Sequence, residues 1–315
     1  MSTFRPERPP PLRGRIKHRL VNAAEELYLD PDPTDRQRAW AAVQLVKATL
    51  PHREPPGNPP IWSRRNGNFT LIVKPGYRQD HKTGKVNSLG YPFGTIPRLL
   101  LFWIATEAVQ TQSRQLTLGT SLSDFMRELG LNPDNGSQGS KRGDARRLRE
   151  QIERLFRANI SFDFGVNNDN DKWLNMDVTS RGDLWFRDNN IDQNNLWASW
   201  IELGEKFYEA IIASRMPIDL RALRALKNSS LALDTYTFLV YRTWGVNERG
   251  VPSSITWKQL EEQLGSNYGN TKSFKRYFKE ALHKIKALYS SRLRVKEIEG
   301  GIVISPGSQL IENKG

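Results

Sequence analysis

The sequence predicts an α+β protein of two tandem winged-helix domains, with a small helical extension at its N-terminus. Three patterns in the 315 residues lead to this fold. The first is a basic amphipathic helix over residues 270–288, and the second is a pair of short strands over 292–296 and 302–304, joined by a glycine turn. The third is an earlier copy of the same order of elements, which implies that the domain occurs twice.

The basic helix has one apolar stripe and an almost purely cationic free face. Apolar residues recur at helical spacing, so this stripe is expected to face a core. Between Lys272 and Lys296, nine basic residues accompany a single acid, Glu280. A solvated surface helix normally mixes both signs of charge, so the near absence of acids favours a nucleic-acid partner. The stripe consists of Phe274, Phe278, Leu282, Ile285 and Leu288.

The earlier copy matches the later one in two stretches. Ser121–Gly130 aligns with Thr256–Gly265 at an offset of 135 residues, and each stretch opens with a helix-capping hydroxyl and ends at glycine. The basic helix predicted over 141–157 aligns with the later basic helix at an offset of 130 residues. The change of offset falls in the polar turn between the helices, where loop length varies at little cost. Two matches in the same order indicate tandem winged helices.

Composition and proline punctuation divide the chain into four parts. The first part joins a basic, proline-rich arm to a small helical region that ends at the prolines between residues 51 and 60. Two winged helices and a short tail make up the rest. The parts are residues 1–60 for the arm and extension, 61–190 for the first winged-helix domain, 191–307 for the second and 308–315 for the tail.

Outside the basic helices, apolar spacing and turn residues predict the remaining elements. An apolar helix is expected to open each copy of the repeat, and a polar linker is expected to separate the copies. The predicted elements are helices over 16–29, 34–50, 97–109 and 231–244, a strand over 69–73, a loop from there to residue 89, a hairpin over 160–178 and a linker over 188–195.

The predicted DNA contacts follow from the geometry of a helix-turn-helix, whose second helix enters the major groove with its first residues at base edges. This geometry gives base contacts to Asn270, Lys272, Ser273 and Arg276, because lysine and arginine bind guanine and asparagine binds adenine. A second set is better placed for phosphates, which give affinity and register rather than sequence preference. The second set is Lys275, Lys279, Arg292, Arg294 and Lys296.

The earlier basic helix carries Lys141, Arg142, Arg146 and Arg147, but it also carries three acids. The acids lower its net positive charge, so we expect this helix to be the weaker reader or a clamp on the DNA backbone. Its four basic residues are therefore predicted to contact phosphates, which position the protein on the duplex.

The totals restrict the partner and the class of protein. A net charge of +13 and a pI of about 9.9 indicate nucleic acid or an anionic surface. No apolar run reaches the roughly 20 residues that a membrane span needs, so no membrane partner is expected. The absence of cysteine excludes thiolate chemistry and, together with the lack of a signal peptide, fits a cytoplasmic protein.

The sequence predicts no enzyme activity, no cofactor and no metal site. Asp169 and Asp171 lack the central glycine and terminal glutamate of a calcium loop. Thr83–Lys85 lacks the glycine spacing of a P-loop. The four histidines are scattered along the chain. A nickase or primase is the enzymatic alternative, and activity on single-stranded or supercoiled DNA would reveal it.

A set of short phrases occurs in a fixed order: Tyr91–Leu101, Thr106–Val109, Leu116–Gly119, Ser121–Leu131, Pro217–Lys227, Ser230–Tyr236 and Tyr241–Arg242. Together they resemble RepA-type plasmid replication initiators over roughly Phe69 to Pro306. The resemblance implies tandem winged helices that bind repeated sites in double-stranded DNA at a plasmid origin, open an AT-rich segment and recruit host replication proteins such as an initiator or helicase. It also implies autorepression and a homodimer–monomer switch, properties that vary among initiators.

A plasmid-encoded transcriptional regulator with the same DNA-binding fold is the alternative interpretation. Charge and motifs do not separate it from an initiator, because both proteins bind specific duplex sites. Maintenance of a minimal origin plasmid only when this gene is present would separate the two functions.

Overall fold

The computed structural model describes residues 15–133, 143–167, 170–184, 199–265, 270–289, 292–308 and 310–311. The chain divides into two compact units. We call Trp40–Arg215 the central unit, and we call Met1–Ala39 together with Met216–Gly315 the terminal unit. Both units mix helices with strands, so the predicted α+β class is confirmed. No helix within the described ranges is long and apolar enough to span a membrane.

The order of elements follows the sequence prediction in most places, with several additional strands. In chain order the elements are α1 (Arg15–Leu29), β1 (Arg38–Ala42), α2 (Val43–Lys47), β2 (Trp62–Asn66), β3 (Phe69–Lys74), β4 (Tyr77–Gln79), β5 (Val86–Ser88), α3 (Thr95–Thr111), β6 (Gln115–Gly119), α4 (Leu122–Glu128), α5 (Asp144–Phe156), β7 (Asn159–Asn167), β8 (Asn170–Asp177), β9 (Thr179–Asp183), β10 (Ser199–Leu203), α6 (Glu205–Ala213), β11 (Arg215–Asp219), α7 (Leu220–Leu226), α8 (Ser230–Arg249), β12 (Ser253–Thr256), α9 (Trp257–Leu264), α10 (Thr271–Leu288), β13 (Val295–Ile298) and β14 (Gly301–Ile304).

The apolar helix α3 forms the centre of the central unit. Leu100 and Ile104 are fully buried, and the helix contacts α5, α6 and β6. Arg98 is also buried on this helix, and its guanidinium donates to the carbonyls of Leu50 and Gly94, each at 2.7 Å. These bonds offset part of the cost of removing the charge from water.

Three antiparallel sheets complete the central unit. The largest has the strand order β2-β3-β7-β8, and its β7–β8 pair is the hairpin predicted over 160–178. A second sheet has the order β6-β10-β9. The third is a two-stranded ribbon, β4–β5, where the sequence predicted only a loop. The ribbon was missed because its residues are exposed and lack the apolar alternation of a half-buried strand.

The terminal unit is built around α8 and α10, which pack against each other. Ala232, Tyr236 and Leu239 of α8 are fully buried. Strands β12, β14 and β13 form an antiparallel sheet in that order. Gly301 is required at the start of β14, because a Cβ at that position would collide with the carbonyl of Ile255.

Helix α1 packs against α7 and α10 and therefore belongs to the terminal unit. Leu20 and Leu27 are each 1% exposed, and Arg19 Nε donates to the carbonyl of Ala225 at 3.1 Å. The sequence predicts this helix as part of a separate extension, because a local pattern shows an apolar stripe but not the partner that covers it. Residues 199–215 belong to the central unit, whereas the predicted second domain, residues 191–307, includes them.

A buried charged pair fixes the end of α1 to the start of α7. Asp219 and Arg221 are 0% and 5% exposed, and Arg221 Nη2 donates to Asp219 Oδ2 at 2.7 Å. Arg221 Nη1 also donates to the carbonyl of Asp30 at 2.9 Å. Burial by itself lowers the pKa of Arg221, but the hydrogen bonds and charge of Asp219 raise that pKa overall. Burial also raises the pKa of Tyr236 and of Tyr289, so both hydroxyls stay protonated beside the pair.

The prediction of a helix over residues 34–50 is wrong. Residues 38–42 form the strand β1, and only the short helix α2 follows it. Contacts from distant parts of the central unit fix this segment. The Trp40 N–H donates to the Thr106 hydroxyl at 2.9 Å, and the Val43 N–H donates to the carbonyl of Ser214 at 3.0 Å. Tertiary hydrogen bonds therefore override a helical spacing of apolar residues.

The strand predicted over 292–296 begins later, at Val295. The N–H groups of Arg292 and Leu293 both donate to the carbonyl of Tyr289, each at 3.0 Å. This turn ends α10 and delays the strand by three residues. The predicted linker over 188–195 lies outside the described residues.

Candidate nucleic-acid interface

Helices α9 and α10 and the hairpin β13–β14 follow one another in the order of a helix-turn-helix with a wing. Helix α9 begins with a capping box: the Thr256 hydroxyl accepts from the Gln259 N–H at 3.2 Å, and the Gln259 side chain accepts from the Thr256 N–H at 2.9 Å. The Thr271 hydroxyl donates to the Glu261 carboxylate at 2.6 Å. This last bond fixes the start of α10 against α9.

Trp257 joins α9 to the wing and lies beneath α10. Its indole Nε1 donates to the carbonyl of Glu299 at 2.9 Å, and its backbone N–H donates to the carbonyl of Gly300 at 3.0 Å. Its ring meets Phe278 edge to face with centroids 5.8 Å apart. Trp257 is not among the residues predicted from the sequence, and its signal there is a tryptophan at the position that aligns with Leu122.

One side of α10 carries a row of basic side chains, which we call the cationic face. Its members recur at intervals of three or four residues and therefore share one side of the helix. The opposite side is buried, with Phe274, Phe278 and Leu282 at 0% exposure. The acid Glu280 is exposed at the edge of this row, four residues after Arg276. The cationic face consists of Lys272, Lys275, Arg276, Lys279, His283 and Lys286.

The residues predicted to reach bases lie at the first two turns of α10. Asn270 is the N-cap residue, and its side-chain oxygen accepts from the Ser273 N–H at 2.8 Å. Asn270 therefore has a structural role. The hydrogen bond from Ser273 occupies the side-chain oxygen of Asn270 that a contact with adenine would use. Lys272 and Arg276 are exposed. The Arg276 guanidinium lies 4.6 Å from the ring centroid of Tyr277, a contact that restrains its direction.

Lys275 and Lys279 lie over the ring of Trp257, and each ammonium group is 5.6 Å from the ring centroid. Lys279 also pairs with Glu297 on β13 at 2.9 Å, and His283 Nε2 lies 3.8 Å from the same carboxylate. Lys279 was predicted to contact phosphate, and it already has an acidic partner within the fold. Over the described ranges, no such partner is found for the other basic residues in the first half of α10.

The three basic residues predicted beyond α10 have separate surroundings. Arg292 Nη1 donates to the carbonyl of Pro31 at 2.9 Å, and Arg294 Nη1 donates to the carbonyl of Pro306 at 3.3 Å. Both follow the C-terminal end of α10, which is roughly 27 Å from its first residue. They are therefore not grouped with the residues at its first turns. Lys296 is exposed on β13, within the wing.

The earlier basic helix, α5, pairs its arginines with acids of the same helix. Arg146 Nε lies 2.9 Å from the Glu150 carboxylate, and Arg147 Nη1 lies 3.4 Å from the Asp144 carboxylate. Both pairs use the three- or four-residue spacing that brings side chains together on a helix. Acids of the same helix thus neutralise part of the positive charge that was predicted to bind phosphates.

The remaining predicted contacts, Lys141 and Arg142, lie outside the described residues. The same is true of the basic arm up to residue 14. Over the ranges that the structure describes, no group of three or more His, Cys, Asp and Glu side chains is arranged to hold a metal ion.

Comparison with known proteins gives a family match and two similar structures. A family model described as "Plasmid encoded RepA protein" matches residues 91–259, more than half of the chain. None of the curated proteins matches. A selenomethionine crystal structure of domains 2 and 3 of RctB is 12% identical with a TM-score of 0.50, covering 85% of this chain and 99% of that one. A second structure of RctB domains 2 and 3 is 13% identical with a TM-score of 0.46, covering 82% and 93%. At such identities, the likeness concerns the fold alone.

Proposed function

The chain belongs to the family of plasmid-encoded RepA replication proteins, and we propose that it initiates plasmid replication by binding repeated sites in double-stranded DNA at the origin. In this proposal the bound protein promotes opening of the origin and recruits host replication proteins. The same contact with DNA upstream of its own gene represses that gene. The role requires no catalysis by the chain itself, and a homodimer–monomer switch stays a prediction.

The observation that carries this proposal is the free positive charge at the start of α10. Lys272 and Arg276 are exposed at the first two turns, where a helix-turn-helix reads base edges. Lysine and arginine both match the guanine acceptors of the major groove, and a bidentate contact discriminates against the wrong base. We therefore propose Lys272 and Arg276 as the base readers.

The other predicted contacts receive narrower roles in the proposal. Lys275 and Lys296 contact phosphates beside the groove, because one lies at the edge of the cationic face and the other on the wing. Ser273 is half-exposed in the first turn and contributes a hydroxyl to either a base or a phosphate. Asn270 acts mainly as the helix cap, which positions the two base readers.

Three further residues contribute mainly to the fold in this proposal. Lys279 supports the wing through Glu297, and Arg292 and Arg294 attach neighbouring segments to the end of α10. Such contacts within the chain reduce the share of these side chains that is free to bind phosphate. Substituting them is expected to affect stability more than sequence preference.

Footprinting of the purified chain on plasmid DNA upstream of its own gene tests the proposal. We expect repeated protected segments, each lost when the duplex is scrambled. A protein that protects all sequences equally, at salt concentrations where specific complexes survive, would contradict specific origin binding. Incubation with single-stranded and supercoiled DNA checks the enzymatic alternative, and nicking or primer synthesis would contradict the non-catalytic role.

Plasmid maintenance separates the initiator from the transcriptional regulator. A minimal plasmid that carries only the protected repeats and the adjacent AT-rich DNA should replicate when the gene is supplied in trans. The Arg276→Ala variant, supplied at the same level, should fail to maintain it. Repression of a reporter without any support of replication would favour the regulator.

A further inference from the structure

The β4–β5 ribbon extends from the central unit, and every residue from 77 to 87 is exposed. Its register pairs Tyr77 with Ser88 and Gln79 with Val86, so these four side chains share one face of the ribbon. Tyr77 and Val86 are 55% and 66% exposed on that face. The ribbon thus offers a narrow surface that nothing in the described chain covers.

The tip of the ribbon is a formed turn. The Asp80 carboxylate accepts from the N–H groups of Lys82 at 2.8 Å and Thr83 at 3.2 Å. These backbone hydrogen bonds lower the pKa of Asp80. Gly84 has a φ of +69°, a conformation that suits glycine, and its N–H donates to the carbonyl of Asp80 at 2.8 Å. This defined turn therefore holds Lys82 and Lys85 at the tip of the ribbon.

The base of the ribbon is attached to the C-terminal end of α5. Arg78 pairs with Glu153 at 2.7 Å, and Arg157 Nη1 donates to the carbonyl of Tyr77 at 3.5 Å. The backbone at Gly76 runs so close to Arg157 that a Cβ there would collide with it. These contacts connect the ribbon to the helix that was predicted to clamp DNA.

The ribbon carries positive charge for which the described residues provide no acidic partner. Between residues 74 and 88 the chain has four basic residues and one acid, Asp80. Lys82 and Lys85 are exposed, and no acid pairs with them within the described part of the chain. Arg146 and Arg147 on α5, in contrast, are paired with acids. Free cations release more counterions from DNA than cations already paired within a protein.

We propose that the β4–β5 ribbon binds the DNA phosphate backbone and is the main phosphate contact of the central unit. The major groove of DNA admits a two-stranded ribbon, so the ribbon can bind a duplex either along the backbone or within the groove. Lys82 and Lys85 hold phosphates, and Tyr77 and Val86 contact the adjacent sugars. This inference rests on the proposed binding of double-stranded DNA. It adds a DNA contact in a segment for which the sequence predicts only a loop.

The test compares two double variants of the full chain that remove the same charge. The first is Lys82→Gln with Lys85→Gln, on the ribbon. The matched control is Lys172→Gln with Lys206→Gln, which removes two exposed lysines from β8 and α6 of the same unit. Binding is titrated at several salt concentrations on the duplex upstream of the gene and on a scrambled duplex, and thermal melts check that both variants fold.

We expect the ribbon variant to flatten the log–log salt slope by about 1 to 2, since each phosphate contact contributes about 0.9. The effect should appear on both duplexes and leave the ratio of their affinities unchanged, because phosphates carry no sequence information. The control should keep the wild-type slope. An unchanged slope in the ribbon variant, or equal flattening in both variants, would overturn the inference while site-specific binding by the wild type stands. If the wild type shows no site preference, the proposed function fails, and the slopes on scrambled DNA still decide the role of the ribbon.

Discussion

Helices α5 and α10 hold the same position in the two predicted copies of the repeat, and they differ in what their charges contact. The apolar residues that align between them are fully buried in both helices. On α5, Arg146 and Arg147 pair with acids one turn away. On α10, the first turn holds no acid, and Lys272 and Arg276 face solvent.

The difference separates the determinants of fold from the determinants of binding. An apolar stripe is enough to fix a helix in this position of the repeat, and both helices have one. Each i,i+3 or i,i+4 ion pair contributes only about 0.2–0.5 kcal/mol to the helix. The same pair nevertheless neutralises a charge that would otherwise release a counterion from DNA. Acids that pair with arginines one turn away therefore reduce the charge that a basic helix can offer to a polyanion.

The largest effect on stability is expected from a substitution in the core of α1, the helix that packs against α10. Leu27→Ala should lower the free energy of unfolding of the terminal unit by about 2–5 kcal/mol, because it opens a cavity in a packed core. Leu27 is 1% exposed, and its neighbour Tyr28 is 76% exposed, so Tyr28→Ala is the matched control. Chemical denaturation measures both. Equal stability of the two variants would mean that α1 does not support α10.

The next effect separates the two helices directly. Arg276→Ala should cost about 1–3 kcal/mol of preference for the specific site, the value of a good base contact. Arg146→Ala should change that preference by less than about 0.5 kcal/mol, because its guanidinium is paired with Glu150 and is predicted to meet only phosphate. Fluorescence anisotropy on specific and scrambled duplexes gives both values. Equal losses would contradict the ranking of the helices.

A third variant should make α5 more like α10. Asp144→Asn with Glu150→Gln releases Arg147 and Arg146, so the salt slope of binding should steepen by about 1 to 2. Glu205→Gln with Glu209→Gln is the matched control, since it removes the same charge from helix α6 of the same unit. A slope that steepens equally in both variants would show a general charge effect rather than a release of the two arginines.

The smallest effect concerns the wing. Glu297→Gln removes the partner of Lys279, a half-exposed ion pair that contributes about 0–1 kcal/mol to stability. The freed ammonium group should bind phosphate and steepen the salt slope by up to about 1. Gln259→Ala, in contrast, breaks the capping box of α9 and should lower stability without changing the slope. A Glu297→Gln variant with weaker DNA binding would mean that the pair positions the wing.

Local patterns predicted the parts of the fold that depend on neighbours in sequence. The stripe of α10, the caps at Ser121 and Thr256 and the hairpin β7–β8 all follow from spacing and residue type, and the structure has them. The RepA-type resemblance was equally readable, because its phrases occur in order. The family match over residues 91–259 confirms it.

Partners that are distant in sequence could not be read from the chain. Nothing near Trp40 indicates that its N–H meets Thr106, which is one reason that a strand replaces the predicted helix. Nothing near Leu27 indicates its burial against helices that begin after residue 219. The pairing of Lys279 with Glu297 likewise depends on the return of the wing along α10. Sequence alone therefore predicts the residues of the site but not the contacts that they make in the fold.

The terminal unit is built from the two ends of the described chain, and this arrangement affects the order in which the units fold during synthesis. Helix α1 ends at Leu29, and its packing partner α7 begins at Leu220, so the ribosome makes all of the central unit between them. Leu20 and Leu27 leave the ribosome long before the surfaces that bury them exist. Contacts this far apart in sequence form slowly, and the earlier unit has time to fold first. The helix proposed to read DNA can thus pack against α1 only after the whole central unit has been translated.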